Sequence, residues 1–238
     1  MNLDTEFRNP SPPPLSDLDP LQSSITGILL SLVTKLESNT VDEIEESKDV
    51  TGEDSPFELT LCSIWDLSNF PEYAIDFQQW ELDQLLLRTL SVTKRPRTVE
   101  LVFGIFSTLV CQISLVSKYL QKNELVPIVL ETLRNTQDPK ILTQCARFLK
   151  NILSTLSTSE EEEAGVPEEF ITLLNSNYPT EYLLFIVSNS LDEELKNEAL
   201  KALKWLLLTC EPQLGPEEEK ALIDVCIENM SGSWSVLT

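Results

Sequence analysis

Residues 82–110 read LDQLLLRTLSVTKRPRTVELVFGIFSTLV, and residues 125–153 read LVPIVLETLRNTQDPKILTQCARFLKNIL. Displaced by 43 residues, the second stretch sets Pro139 on Pro96, Phe148 on Ile105, Leu149 on Phe106 and Ile152 on Leu109. A looser third copy, YLLFIVSNSLDEELKNEALKALKWLLL at 182–208, follows the second at an offset of 54. It places Leu195 on Ile141, Ala199 on Cys145, Leu203 on Leu149 and Leu206 on Ile152, the longer offset absorbing the acidic run Glu160–Glu163. Each copy reads as a helix, a short turn and a longer, more apolar helix. In the first copy that second helix carries Val99, Leu101, Val102, Phe103, Ile105, Phe106, Leu109 and Val110. An apolar surface on nearly every side is what a helix enclosed by neighbours requires.

A repeat of about 40 residues built from two or three helices is the armadillo/HEAT pattern, in which no unit buries its apolar face until a neighbour stacks on it. The prediction is an all-α fold, an armadillo/HEAT-like right-handed superhelix of about three to four helical repeats. An irregular bundle of leucine-rich helices that align by chance is the alternative. Outward from the repeats, Ser55-Pro56 reads as a helix start, so the repeat domain runs over 56–238. An acidic linker occupies 37–55. A short amphipathic helix occupies 21–36, with Ile25, Ile28, Leu29, Leu32, Val33 and Leu36 at helical spacing. Residues 1–20 hold five prolines and little to bury, and are expected to be a disordered arm.

Composition narrows the chemistry. The 238 residues carry a net charge of −22, which opposes binding to bare nucleic acid or to an anionic membrane surface. Histidine is absent, which removes histidine-based catalysis and histidine metal ligands. Cys62, Cys111, Cys145, Cys210 and Cys226 form no C-x-x-C pair and read as buried thiols of a reducing compartment. No Gly-rich phosphate loop or nucleophile elbow is present. The acidic runs Asp42–Glu46, Glu160–Glu163, Asp192–Glu194 and Glu217–Glu219 read as solvated surface. The chain is therefore expected to be no enzyme, to need no cofactor or metal, and to act on no small-molecule substrate. The start, MNLDTEFRNP, lacks a signal peptide's basic and apolar regions, and the apolar run Ile25–Leu36 is too short to cross a bilayer. A soluble, intracellular protein is expected, and its partners are other proteins.

The scarce cations point to where those partners bind. Arg147 and Lys201 occupy equivalent repeat positions, as do Lys150 and Lys204. In an armadillo array these helices line the concave groove, so Arg147, Lys150, Asn151, Lys201, Lys204 and Trp205 are the candidate protein-binding residues. A locally positive groove in an acidic protein suits an acidic partner segment; the competing reading is a lysine face that only confers solubility. Import-type armadillo proteins pair Trp with Asn four residues later on this helix. Here the pairs are Gly104/Thr108, Arg147/Asn151 and Lys201/Trp205, so only Asn151 keeps the ladder residue. Lys94-Arg95-Pro96-Arg97 fits the loose pattern of a nuclear localisation signal and also forms the turn between two repeat helices.

Three stretches, Arg8–Pro14 (RNPSPPP), Ile64–Ser68 (IWDLS) and Lys94–Ile105, together with the helix at 25–36, resemble the serum amyloid A-like protein 1 family, also called synoviocyte proliferation-associated. The resemblance runs in order from residue 8 to about 208. It implies an armadillo-like, non-catalytic protein of the nucleus and/or cytoplasm that supports cell proliferation by binding regulatory proteins. The alternative function is an armadillo-type chaperone co-factor that regulates nucleotide exchange. In the arm, Arg8, Pro10, Ser11, Pro12, Pro13 and Pro14 read either as part of a disordered tail or as a polyproline II ligand, with Ser11 a proline-directed phosphorylation site.

Overall fold

In a computed structural model, residues 25–37, 54–112, 116, 119–120, 124–157, 166–210, 215–217, 220 and 222–223 are described. The Pro-rich arm and nearly all of the acidic linker lie outside these residues. Among the described residues there are ten helices: α1 (Ile25–Glu37), α2 (Pro56–Ser68), α3 (Pro71–Gln79), α4 (Leu82–Val92), α5 (Pro96–Leu109), α6 (Leu125–Asn135), α7 (Pro139–Ser157), α8 (Glu168–Asn177), α9 (Pro179–Asn189) and α10 (Glu193–Cys210).

The repeat arithmetic becomes geometry at the helix ends. Displaced by 43, α4 starts and stops where α6 does; displaced by 54, α6 matches α9 at both ends. The turns share one chemistry. Thr93, Thr136 and Ser190 stand at the same repeat position. Each donates its backbone N–H to the carbonyl four residues back, Thr89, Thr132 and Ile186, at 2.9, 3.0 and 2.9 Å. Each hydroxyl oxygen then accepts the N–H two residues ahead, from Arg95, Asp138 and Asp192, at 3.2, 3.2 and 3.1 Å. A Ser/Thr turn of this kind stops one helix and aims the next. In the second and third copies the aspartate caps the new helix: Asp138 Oδ1 accepts from Lys140 N at 2.9 Å, and Asp192 Oδ1 from Leu195 N at 2.9 Å. The first copy has Arg95 at that position, and its helix has no side-chain cap. Tighter corners occur where a single residue, Tyr178, with φ 50°, separates α8 from α9.

The longer helices α2, α5, α7 and α10 pack side by side in that order, and α4, α6 and α9 pack on α5, α7 and α10. Their shared faces form one apolar core. Phe103, Phe106, Ile105 and Leu101 of α5 meet Phe148, Leu149 and Ile152 of α7, which continue into Leu203 and Leu206 of α10; all are essentially fully buried. The burial of α5 on nearly every side follows from its central place. This is an all-α, armadillo-like repeat architecture, and the segments around residues 105, 148 and 202 lie adjacent, as the offsets require. α1 extends the array, packing on α2 and α4.

One expectation from the sequence needs correction. The thiols are not uniformly buried: Cys145 and Cys210 are, Cys62 is half-buried and Cys111 is exposed, while Cys226 lies outside the described residues. The described members of the acidic runs, Asp192, Glu193, Glu194 and Glu217, are exposed, whereas Glu58, Asp83, Glu100 and Glu198, outside the runs, are buried.

Candidate functional site

The adjacent helices α2, α5, α7 and α10 carry one row of residues at equivalent repeat positions, Trp65, Thr108, Asn151 and Trp205, of which the first three reach across to or from α5. Trp65 Nε1 donates to Thr108 Oγ1 at 3.1 Å. Its ring lies over Gly104, close enough that a Cβ there would come within 2.6 Å of Trp65 Cη2. The glycine is therefore required by close approach of the indole to the α5 backbone. One step along, Asn151 Nδ2 donates to the carbonyl of Ser107 at 2.6 Å. Ser107 lies in the last turn of α5, where carbonyls have no partner within the helix. Phe106 O, Thr108 O and Leu109 O accept from Val110, Cys111 and Gln112 N–H groups, while Ser107 O accepts from Asn151 on the next helix and, at 3.6 Å, from the Cys111 thiol. All four row residues are half-buried. The sequence marks Trp65 only as part of IWDLS and not as a site residue, although an offset of 43 back from Thr108 lands on it.

Beside this row the structure gathers Arg147, Lys150 and Lys201 around one carboxylate, Glu198. Lys201 Nζ donates to Glu198 Oε1 at 3.0 Å, while Lys150 Nζ and Arg147 Nε stand 3.4 and 3.8 Å from Oε2. Arg147 Nη2 also pairs with Glu194 on the same helix as Glu198. Burial alone raises the Glu198 pKa, but the bond from Lys201 and the charges of Lys150, Lys201 and Arg147 outweigh it and hold the group below its ordinary value. The cations remain accessible: the Arg147, Lys150 and Lys201 side chains keep 29 %, 26 % and 36 % of their surface. Lys204 is exposed, its Nζ 6.0 Å from the centroid of the Trp205 ring. Four cations thus share a face with two carboxylates, Glu194 and Glu198. Cys111 opens at the same place; burial raises its thiol, and the charge of Lys150 partly opposes that rise. Arg8, Pro10, Ser11, Pro12, Pro13 and Pro14 lie outside the described residues.

A second charged cluster sits at the start of the repeat body. Glu58 is fully buried, and its carboxylate accepts four hydrogen bonds. Ser55 N donates to Oε2 at 2.7 Å; Arg95 donates from Nε and Nη2 at 3.0 Å each; Thr98 Oγ1 donates to Oε1 at 3.1 Å. With Ser55 Oγ accepting from Glu58 N at 3.2 Å, this is a capping box whose acidic member also grips the α4–α5 turn. Next to it, Arg97 clasps Asp54 with two bonds of 3.0 and 3.2 Å and pairs with Glu100 at 3.0 Å. Burial would raise Asp54, but the hydrogen bonds and charge of Arg97 bring its carboxyl below the ordinary value. Both arginines of Lys94-Arg95-Pro96-Arg97 are therefore engaged within the fold. Half-buried Cys62 lies against the same pair, its Sγ donating to Asp54 Oδ2 at 3.6 Å; burial, then Asp54, pushes the thiol up to about 12.

Among the described residues no His/Cys/Asp/Glu group is placed to hold a metal ion, and no helix is long and apolar enough to cross a membrane. No family model matches the chain. It is similar to Protein saal1 of Danio rerio (28 % identical over 157 residues, 62 % of this chain and 33 % of the relative), and to Protein SAAL1 of Homo sapiens (26 % over 172 residues, 71 % and 34 %). Protein saal1 of Xenopus tropicalis aligns over more of it (23 % over 226 residues, 87 % and 48 %). The chain spans less than half the length of these curated relatives. Among solved structures it is similar to an engineered protein at a TM-score of 0.56, with 16 % identity, covering 83 % of this chain and 74 % of that one. A designed armadillo repeat protein aligns at a TM-score of 0.40 with 14 % identity, over 81 % of this chain and 96 % of that one. The engineered protein's likeness concerns the fold alone.

Proposed function

Starting from the chain's kinship with the serum amyloid A-like 1 proteins, we propose that it is a non-catalytic interaction scaffold of the nucleus or cytoplasm. In this reading it supports proliferation by holding regulatory proteins, and it receives an acidic segment of a partner along the α7–α10 face. The observation that carries this reading is the convergence of Arg147, Lys150 and Lys201, with Lys204 and Trp205 beside them, in a chain whose net charge is −22. Complementary charge steers encounter and sets register. An indole half-buried beside the cations offers an apolar surface with little side-chain entropy to lose. Glu198 keeps the three cations oriented towards one point, so an incoming carboxylate meets donors already in place.

Proximity labelling in cells tests the proposal. The intact chain is compared with one carrying Arg147→Glu and Lys201→Glu and with one lacking residues 1–20. Loss of a discrete set of acidic partners from the first variant, with the arm deletion retaining them, is the expected result. Retention of every partner by the charge-reversed chain, once circular dichroism shows it folded, overturns the α7–α10 face as the site.

A further inference from the structure

The Lys94-Arg95-Pro96-Arg97 turn is held by residues on either side of Ser55, and Ser55 is followed by proline. Ser11-Pro12 and Ser55-Pro56 are the two Ser-Pro steps of the sequence. Ser55 has an extended backbone, φ −67° and ψ 161°, at the entry to α2. Its N–H and Arg95 Nη2 share one acceptor, Glu58 Oε2, at 2.7 and 3.0 Å. Its other neighbour, Asp54, is clasped by Arg97. A serine with proline after it, extended backbone and two arginine forks bound to the adjoining carboxylates is placed to use a phosphate. The forks of arginine match phosphate oxygens as well as they match carboxylates.

We propose that Ser55 is a phosphorylation site, and that its phosphate takes Arg95 and Arg97 from Glu58 and Asp54 and so unlatches the Glu58 carboxylate from the α4–α5 turn. In the transfer, Ser55 Oγ forms a bond to the γ-phosphorus of a nucleoside triphosphate held by a proline-directed protein kinase. The bridging P–O bond breaks, the nucleoside diphosphate leaves, and the hydroxyl proton passes to the kinase's base. The product carries nearly two negative charges between two carboxylates, which it repels. Once Arg95 has turned away, Glu58, with no exposed side-chain surface, is a buried carboxylate without its cation, which destabilises its place in the fold. The first turn of α2 then opens. α1 hangs on that turn as well, since Lys35 Nζ donates to Pro56 O at 2.8 Å and to Thr60 Oγ1 at 2.9 Å. The modification therefore loosens α1 from the repeat body. Ser55 is 8 % exposed, so the kinase reaches it only when the latch opens, and the latch controls its own modification.

The experiment is a time course of the full chain with a proline-directed kinase and ATP, each phosphate located by mass spectrometry. Ser11 serves as the internal control. Ser55 is expected to gain phosphate more slowly than Ser11. Glu58→Gln, or the milder Asp54→Asn if Glu58→Gln does not fold, is expected to speed Ser55 at least tenfold and leave Ser11 unchanged. The same substitutions in a synthetic peptide of residues 48–62 should leave its rate unaltered. After modification, amide exchange over 56–62 is expected to accelerate at least tenfold, with 139–157 unaffected. Ser55 remaining unmodified in every chain while Ser11 is modified overturns the site. Phosphate on Ser55 with unchanged exchange over 56–62 overturns the unlatching.

Discussion

Two carboxylates organise the charged residues of this fold, and they differ in what surrounds them. Glu58 is sealed at the junction of α2 with the α4–α5 turn and accepts four hydrogen bonds, two from Arg95. Glu198, on the α7–α10 face, has one hydrogen bond from Lys201 and two looser charge contacts with lysine and arginine side chains still open to solvent. Saturated donors around a dry carboxylate make a joint, because removing either partner strands a buried charge. Cations that hold a buried carboxylate with loose contacts and keep their own outer surface open make a recognition surface, because another anion can approach them from the solvent side at modest cost. Position in the array decides which arises: the Glu58 joint has α1, α2 and α5 around it, whereas the α7–α10 face looks outward.

The largest expected effect comes from breaking the joint. Glu58→Ala leaves the Arg95 guanidinium without its bidentate partner and removes half of the α2 capping box, and is expected to lower stability by about 3–5 kcal/mol in chemical denaturation. The repeat suggests a compensating change. Replacing Arg95 by aspartate gives α5 the cap that Asp138 and Asp192 give their helices, so Glu58→Leu with Arg95→Asp is expected to recover most of the loss. If the double variant is no more stable than Glu58→Ala, the ion pair is not what the joint depends on. Gly104→Ala comes next, because its methyl group meets the Trp65 ring at 2.6 Å. An expected loss of about 1–3 kcal/mol should be accompanied by a change in tryptophan fluorescence.

The repeats were legible in the sequence because apolar spacing and turn residues are local properties. The offsets of 43 and 54 fall on the ends of α4, α6 and α9. The equivalence of Arg147 with Lys201 was legible for the same reason. What was not legible is what those cations face. Glu198 lies three residues before Lys201 and reads as an ordinary pair on one helix surface, yet it also draws two cations from α7. Glu58 and Arg95 are 37 residues apart, and nothing in the local pattern of either marks the other. An isolated acid such as Glu58 or Glu198 carries no local mark of enclosure, because packing is not a local property. The departure of Arg95 from the aspartate found in the other two copies was the available signal.

A smaller effect separates the row between the helices from both clusters. Asn151→Ala removes the amide donor to Ser107 O at the end of α5 and leaves it only the weak Cys111 thiol at 3.6 Å. Leaving that buried carbonyl with a thiol donor alone is expected to cost about 1 kcal/mol, with faster amide exchange in the last turn of α5. If Asn151 acted only on a bound partner, the free protein's stability would not move.

The smallest effect in neutral solution falls on Glu198, and it sharpens the contrast with Glu58. Glu198→Gln keeps the shape and an acceptor for Lys201 while removing the charge, so at pH 7 its cost is expected to stay within about 1 kcal/mol. Its signature is in the pH dependence. The folded-state pKa of Glu198 lies below the ordinary carboxylate value because Lys201, Lys150 and Arg147 outweigh burial. A depressed pKa means that the unfolded chain binds a proton first. The stabilisation from Glu198 is therefore complete above the unfolded-state pKa and is lost as pH falls through the folded one. Thermal melts of the native chain from pH 7 to pH 2 should show the midpoint falling on the acid side, with a shallower fall in Glu198→Gln. Asp54, depressed by Arg97 against its own burial, supplies a second part of the acid limb that Glu198→Gln leaves in place and Asp54→Asn removes. Identical acid limbs in the native chain and both variants would mean that neither cluster's charges stabilise the fold. The same Glu198→Gln chain, with three cations and no carboxylate at their centre, is expected to bind a polyglutamate peptide several-fold more tightly than the native chain at low salt. The difference should shrink as salt is added, because open charges are screened and sealed ones such as the Glu58–Arg95 pair are not.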